Sequence, residues 1–255
     1  RVQSKINNGY LPNVLDLKQE SVTPADPTTG YNKLYFKDDG KLYYLNSLGV
    51  ETEVGAGGGG GDSYNFLTRQ AIINGNFDVS QRATSFVASA NNDDVYTLDH
   101  WNLISDGNDV LDVSQEAITD LPGSNYAIKL DVETAKRGGI VQFLEAKDAQ
   151  KFKGKYVSIS FAVKSANISA IRAAVLSWGS TADSITSDVV GTWADTPTWA
   201  TNWTAENSPA DLTVTSDWTT VKIENIYIDS ATVNNLALAI WIPNEETIGD
   251  IIYIT

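Results

Sequence analysis

Apolar and polar residues alternate in short segments over most of residues 62–255, with Gly, Asn, Asp and Pro between the segments. The segment 156–164 shows this most clearly, because every second residue from Val157 to Val163 is apolar. A period of two predicts a β-strand with one face in a core and the other toward solvent. Comparable segments predict further strands at 126–132, 139–144, 171–178, 218–228, 236–242 and 248–254. The first two of these strands are expected to pair with each other. Residues 147–152 are expected to form one or two helical turns. Many short strands separated by turn residues predict an all-β fold, a sandwich or jelly roll.

Residues 1–54 predict a smaller β unit. Two short apolar segments, 33–37 and 41–45, flank Asp39-Gly40. Asp-Gly between strands is a signal for a tight turn, so these segments predict a β-hairpin, with a third strand at 50–54. A unit of this size buries little apolar surface on its own.

A glycine-rich run at 55–61 separates the two parts of the chain. Glycine loses much backbone entropy in a regular element, so the run predicts a hinge or an extended linker. The alternative is a tightly packed threefold axis that only glycine fits. The run lacks the Lys-Ser/Thr of a phosphate-binding loop, so it does not predict a nucleotide site.

The composition argues against several classes of function. The formal net charge is −14, and an acidic surface repels the phosphate backbone of a nucleic acid. Cysteine is absent and His100 is the single histidine, which excludes disulfides, thiolate sites and any site built from several imidazoles of one chain. No apolar run approaches the roughly 18 residues that span a bilayer, so no membrane insertion is expected. The chain ends in a strand-like segment, 249–255, and the fold is expected to continue beyond it.

One motif opens the larger part of the chain. Residues 72–82 read IINGNFDVSQR, and YTLDHW follows at 96–101. Apolar residues from Ile72 to Val79 around an Asn-Gly-Asn turn predict the first strand of the β-fold. The motif resembles the start of jelly-roll domains in the distal parts of tailed-phage fibres.

Further segments extend this resemblance over most of residues 70–255. Residues 153–161 and 215–221 resemble strands of jelly-roll carbohydrate-binding modules. In the smaller part, residues 33–53 resemble short modules near the shafts and linkers of phage fibres, which are usually stabilised by association of chains.

The resemblance implies a non-enzymatic fibre protein on the exterior of a phage virion. Residues 1–54 would form the attachment and oligomerisation segment, joining other virion proteins in a homotrimer. After the linker at 55–61, the jelly roll at 62–255 would bind a host-surface glycan. A capsid-decorating or head-fibre protein is the alternative, and a polysaccharide depolymerase is a further one.

Three tryptophans near each other make the first candidate binding site. They lie among polar residues that hydrogen-bond sugar hydroxyls, and the set is Trp193, Trp199, Trp203, Asp195 and Asn202. Tryptophan faces stack on sugar rings, so this segment predicts a glycan site. The alternative is that the rings pack a long loop onto the sandwich or against a neighbouring subunit, because exposed tryptophans are costly. Trp101 and Trp218 lie in strand-like segments and are predicted to be core.

A structural calcium ion is the one cofactor that the resemblance implies. In jelly-roll carbohydrate-binding modules, an acidic residue placed like Asp78 often helps to hold it, and its partner on the last strand would lie beyond Thr255 here. Calcium takes six to eight oxygen ligands. The alternative is that Asp78 caps a turn. The segment 91–94, Asn-Asn-Asp-Asp, also groups oxygen atoms, as a cation site or as a solvated loop.

The sequence gives no sign of a catalytic group. His100 is the single imidazole base, between Asp99 and Trp101, and no Gly-x-Ser-x-Gly elbow is present. A glycosidase needs two carboxylates roughly 5–10 Å apart, and no segment singles out such a pair. The prediction is that the protein is not an enzyme.

Overall fold

A computed structural model describes residues 19–54, 71–87, 93–229 and 233–255. The chain divides into two compact units, residues 1–65 and 66–255. The predicted linker at 55–61 lies outside the described residues.

The first unit contains a four-stranded sheet in the order β1-β2-β3-β4. Its strands are β1 (Gln19–Glu20), β2 (Lys33–Lys37), β3 (Leu42–Leu45) and β4 (Glu51–Glu53). The antiparallel β2–β3 pair is the predicted hairpin, and Gly40 takes the positive φ of 78° that its turn requires. The third predicted strand is β4. The buried hydrophobic side chains of this unit are Tyr35 and Leu45, among the residues described.

The second unit is a β-sandwich, which confirms the predicted fold class. Its elements are β5 (Ser85–Phe86), β6 (Asn102–Ser105), β7 (Leu111–Ala117), β8 (Tyr126–Val132), β9 (Gly138–Leu144), α1 (Ala146–Ala149), β10 (Tyr156–Lys164), β11 (Ala170–Trp178), β12 (Val190–Thr192), β13 (Thr198–Trp199), β14 (Trp203–Ala205), β15 (Leu212–Thr213), β16 (Thr219–Tyr227), β17 (Asn235–Ile242) and β18 (Ile251–Ile254). Sheet I has the order β16-β10-β18-β8-β7-β5, and sheet II the order β14-β11-β17-β9-β6, with β15 also pairing with β11. The small hairpin β12–β13 is separate from both sheets.

The main hydrophobic cluster lies between the two sheets. Sheet I contributes alternate residues such as Leu130 and Val163, and sheet II contributes residues such as Leu238 and Ile240. Strand β10 has the bounds that its alternation predicts. Period-two patterning therefore located the inner face of sheet I correctly.

Strand β16 forms one edge of sheet I and contains a β-bulge. The register against β10 shifts between Val157 and Ile159, where β16 has one extra residue. Asn225 lies in this stretch with φ 60°. A bulge bends and twists the strand that contains it.

The strand predicted from Ile72 to Val79 is wrong, since these residues form turns and irregular backbone. The backbone φ is positive at Asn74 and Phe77, 53° and 55°. The Asn74 side chain folds the turn: its Oδ1 accepts from Val79 N at 3.0 Å, and its Nδ2 donates to Val79 O at 2.9 Å. The turn-forming residues determine the local backbone here, and a turn can bury apolar side chains as a strand does.

The spacing of residues in the opening motif is explained by contacts among them. Phe77 is 1% exposed and packs on Trp101, with ring centroids 5.5 Å apart. Trp101 Nε1 donates to Asn74 O at 3.3 Å. Asp99 Oδ2 accepts from Gln81 N at 2.6 Å. The motif thus has a structural role, because its Phe77 and Trp101 belong to the sandwich core.

Two further expectations are corrected. Strands β8 and β9 do not pair with each other: β8 lies between β18 and β7 in sheet I, and β9 between β17 and β6 in sheet II. Alternation in a sequence defines the inner face of a strand but not its neighbours.

Trp101 is core as predicted, whereas Trp218 is partly exposed and its Nε1 donates to Asp120 Oδ1 at 2.9 Å.

Replacing Phe77 by alanine should lower the free energy of unfolding of the second unit by about 3–5 kcal/mol, because a cavity replaces a buried ring. Chemical denaturation measures this change. Ile73→Ala is the matched control, since that side chain is 53% exposed. The control should stay within about 0.5 kcal/mol of the wild type. Equal decreases in the free energy of unfolding in the two variants would contradict the role of Phe77 as a core residue.

Candidate functional site

A long excursion between β11 and β14, residues 179–202, covers the outer face of sheet II. Leu238 and Ile240 of β17 face the sandwich core, whereas Ala239 and Trp241 belong to a second hydrophobic cluster. That cluster also contains Val189 and Val190, and Ile185, Trp193, Trp199 and Ala200 pack against it. Every residue of β17 is therefore buried. The signal in the sequence was the continuous apolar run of 236–242, which lacks the alternation of a half-exposed strand.

The three candidate tryptophans pack the excursion onto the sheet. Trp203 is 4% exposed, with its ring centroid 5.1 Å from that of Trp178, and its Nε1 donates to Thr186 Oγ1 at 3.2 Å. Trp199 is partly buried, and its ring lies nearly perpendicular to that of Trp241, with centroids 5.6 Å apart. Trp193 is partly buried on the same cluster. Trp203 offers no face to a sugar, so this ring follows the alternative, in which it packs the long loop onto the sandwich.

The two polar candidates hold the excursion in place. Asp195 Oδ1 accepts from Arg137 Nη2 at 2.9 Å, and its main-chain oxygen accepts from Arg172 Nη1. Asn202 has φ 72°, and its carbonyl accepts from Gly179 N at 3.0 Å. Asp195 thus anchors the tip of the excursion and Asn202 its base. The partners recorded for these two residues are Arg137, Arg172 and Gly179.

A cleft of about 360 Å³ lies beside the excursion. Its lining combines aromatic and aliphatic side chains with carboxylates and an amide: Phe143, Leu144, Glu145, Asp183, Ile185 and Asn235. The Phe143 ring is partly exposed and is backed by Trp203, with centroids 5.9 Å apart. Ligand sites are commonly concave and mostly apolar, with a few fixed polar groups. Sequence reasoning missed this cleft because its residues come from three separate segments.

Hydrogen bonds fix the polar wall of the cleft. Asp183 Oδ1 accepts from Ala146 N and from Asn235 Nδ2, each at 2.7 Å. Asn235 Oδ1 accepts from Asp183 N at 2.9 Å. The bond from Ala146 N, followed by that from Asn235, lowers the pKa of Asp183, so this carboxylate stays ionised at neutral pH. Glu145, in contrast, is exposed and makes no capping hydrogen bond at the start of α1.

Three carboxylates meet at a second place. Oxygens of Asp93, Asp94 and Asp188 lie within 4.8 Å of one another. Asp94 Oδ1 is buried and has no hydrogen-bond partner among the described residues. Burial, and then the charges of Asp93 and Asp188, raise the pKa of Asp94 to about 6. Burial also raises the pKa of Asp93. Carboxylate oxygens are calcium ligands, so this group is the one in the described part of the chain that fits a cation.

The calcium expected at Asp78 stays a prediction. Asp78 is exposed and does not belong to the carboxylate group. The segment 91–94 did contain two residues of that group, whereas Asp188 is distant in sequence and was not anticipated. His100 is exposed, and its backbone N donates to Tyr96 Oη at 2.6 Å.

Within the described ranges, no helix is long and apolar enough to cross a membrane.

Comparisons with known proteins give weak similarities of fold. No family model matches the chain, and no curated protein does. Among solved structures, a CBM4 structure is 15% identical with a TM-score of 0.41, covering 72% of this chain and 94% of that chain. The module TmCBM61, in complex with β-1,4-galactotriose, is 12% identical with a TM-score of 0.39, covering 61% and 84%. Tailspike protein 4 of bacteriophage CBA120, in its enzymatically active domain, is 11% identical with a TM-score of 0.41, covering 72% and 20%.

Replacing Asp94 by asparagine should raise the melting temperature at about pH 7.5 in EDTA and change it little at about pH 3.5. The raised pKa means that the native state binds a proton more tightly than the unfolded state does. The resulting stability is full below the unfolded pKa and is lost as pH rises through about 6. Thermal scans at several pH values measure this. Asp217→Asn, at an exposed aspartate, is the control. A lower melting temperature for Asp94→Asn at neutral pH would contradict the idea that burial and the charges of Asp93 and Asp188 disfavour an ionised Asp94.

Proposed function

We propose that the chain is a non-enzymatic virion protein of a tailed phage, whose β-sandwich binds a host-surface glycan in the cleft at Phe143. The cleft is the observation that carries the proposal, because an aromatic ring and carboxylates face one concave space on a fixed scaffold. The virion role rests on the resemblance of the opening motif and of residues 33–53 to phage-fibre segments.

The chemistry of the cleft suits a sugar. A pyranose ring has apolar C–H faces, which Phe143 and Ile185 contact, and hydroxyl groups that donate to the carboxylates of Glu145 and Asp183. Hydrogen bonds to charged acceptors are among the strong ones. Asp183 is held by Ala146 and Asn235, so little ordering of this side chain is left to occur on binding.

The proposed assembly is a homotrimer on the outside of the virion, attached to other virion proteins through residues 1–54. A single cleft of this size gives modest affinity. Three copies facing a surface with repeated sugars convert modest contacts into firm attachment.

Replacing Glu145 by glutamine should weaken glycan binding about tenfold, because a hydrogen bond to a charged acceptor becomes a neutral one. Binding of host-surface polysaccharide to the immobilised protein measures this. The melting temperature should not change, since the Glu145 side chain makes no cap bond. Glu133→Gln, at another exposed glutamate, is the matched control.

Two results would contradict this proposal. Unchanged affinity in Glu145→Gln would place any glycan site elsewhere. Release of reducing sugar from the polysaccharide during incubation would show catalysis.

We also propose calcium as a structural cofactor, held by Asp93, Asp94 and Asp188. The support is the buried, unpartnered Oδ1 of Asp94 among negative charges. Calcium at about millimolar concentration, the range of extracellular modules, should raise the melting temperature at neutral pH. Asp188→Asn should abolish this gain while Asp78→Asn retains it. Loss of the gain in Asp78→Asn alone would instead place the ion at Asp78.

A further inference from the structure

The small sheet of the first unit has two faces of different chemistry. Direct pairing across β2, β3 and β4, and the alternation of side chains along each strand, place only uncharged residues on one side. This apolar face consists of Leu34, Phe36, Leu42, Tyr44 and Thr52, with Val50 and Val54 at the two ends of β4. The charged residues of the three strands all lie on the opposite face, at Lys33, Lys37, Glu51 and Glu53.

The opposite face is the packed side of the sheet. Both buried hydrophobic side chains of the unit, Tyr35 and Leu45, lie on this side. The loop before β2 also contacts it, since Thr23 Oγ1 donates to Glu51 Oε2. The chain therefore covers the charged face with its own residues.

The apolar face, in contrast, is open among the described residues. Leu34 is 57% exposed, Val50 53% and Val54 46%. Phe36 and Tyr44 are partly exposed. Apolar side chains that lie together in solvent are typical of an interaction surface.

The first unit lacks the usual means of stabilising so small a fold. Units that bury few side chains are commonly stabilised by disulfides, by a metal ion or by association. Cysteine is absent from the chain. Among the described residues, the carboxylate group that fits a cation lies in the second unit. Association through the open face is the means that remains.

The lack of charge on the apolar face indicates the partner that it fits. Each copy of this chain has a formal net charge of −14, so copies repel one another over most of their surface. A face without ionised groups avoids this repulsion and is complementary to itself. A partner recognised by its charge would find lysines and glutamates on the opposite face instead.

We propose that the apolar face is the surface through which copies of this chain associate, with their first-unit sheets packed around a symmetry axis. Tyr44 lies on the central strand β3, between Leu34 and Thr52, and is therefore nearest to that axis. The inference rests on the assembly in the proposed function and deepens it by naming the contact surface.

The test measures the association of the full chain by sedimentation velocity over a concentration series. The wild type should form oligomers, and raised salt should not weaken them, because no ion pair crosses the face. Leu34→Glu should raise the midpoint concentration about a hundredfold, because association would then desolvate a carboxylate in each copy. Leu34→Met should keep the wild-type midpoint. Leu48→Glu is the matched control, since Leu48 is 84% exposed in the turn after β3.

A second measurement avoids any effect of a new charge on folding. The chain has no cysteine, so Tyr44→Cys introduces a single thiol at the centre of the face. Mild oxidation should link two copies of this variant through a disulfide. Leu48→Cys, treated in the same way, should stay largely unlinked.

Other results would overturn the inference in distinguishable ways. A wild type that is monomeric at every concentration excludes both the face and the proposed assembly, whereas the glycan cleft is tested separately by Glu145→Gln. Oligomers that persist in Leu34→Glu keep the assembly but exclude this face. Equal losses of association in Leu34→Glu and Leu48→Glu would show a general effect of added charge, and dissociation by salt would show an interface of ion pairs.

Discussion

Strand β17 is covered on both faces, and the two hydrophobic clusters of the second unit depend on it. Leu238 belongs to the core between the sheets, and Trp241 to the cluster under the excursion. The close packing of β17 also constrains the neighbouring strand β9, where Gly139 lies opposite Trp241. A Cβ at Gly139 would stand 2.1 Å from the carbonyl oxygen of Ile240, so the two strands approach closely only because this residue is glycine. A change on either face of β17 is therefore transmitted to the other layer.

The excursion over β17 also positions the cleft. Ile185 and Asp183 belong to the excursion, whereas Phe143 and Asn235 belong to sheet II. The Trp203 ring supports Phe143 from behind. Trp203, a candidate for stacking on a sugar, instead supports a residue of the cleft, because its large apolar surface stabilises the layer most when it is buried.

Local patterns predicted the fold better than the site. The alternation of apolar residues identified β10 with its correct ends, since a period of two residues decides which face of the strand is buried. The same approach misjudged Phe77, because a buried side chain on a turn has the same apolar character as one on a strand. The cleft and the group of Asp94 and Asp188 join residues far apart in sequence, and such contacts follow from strand order and from the path of the excursion. Neither is visible in local composition, and the pairing of β8 and β9 was misjudged for the same reason.

The bulge in β16 has a consequence for crowding. An edge strand of nine residues presents open main-chain groups to any other chain that comes near. The extra residue at Asn225 interrupts the regular spacing of those groups, and Lys222 places a charge beside them. A second edge cannot align along the full length of such a strand. Many copies held close together on one surface can thus remain separate domains rather than merge into continuous sheets.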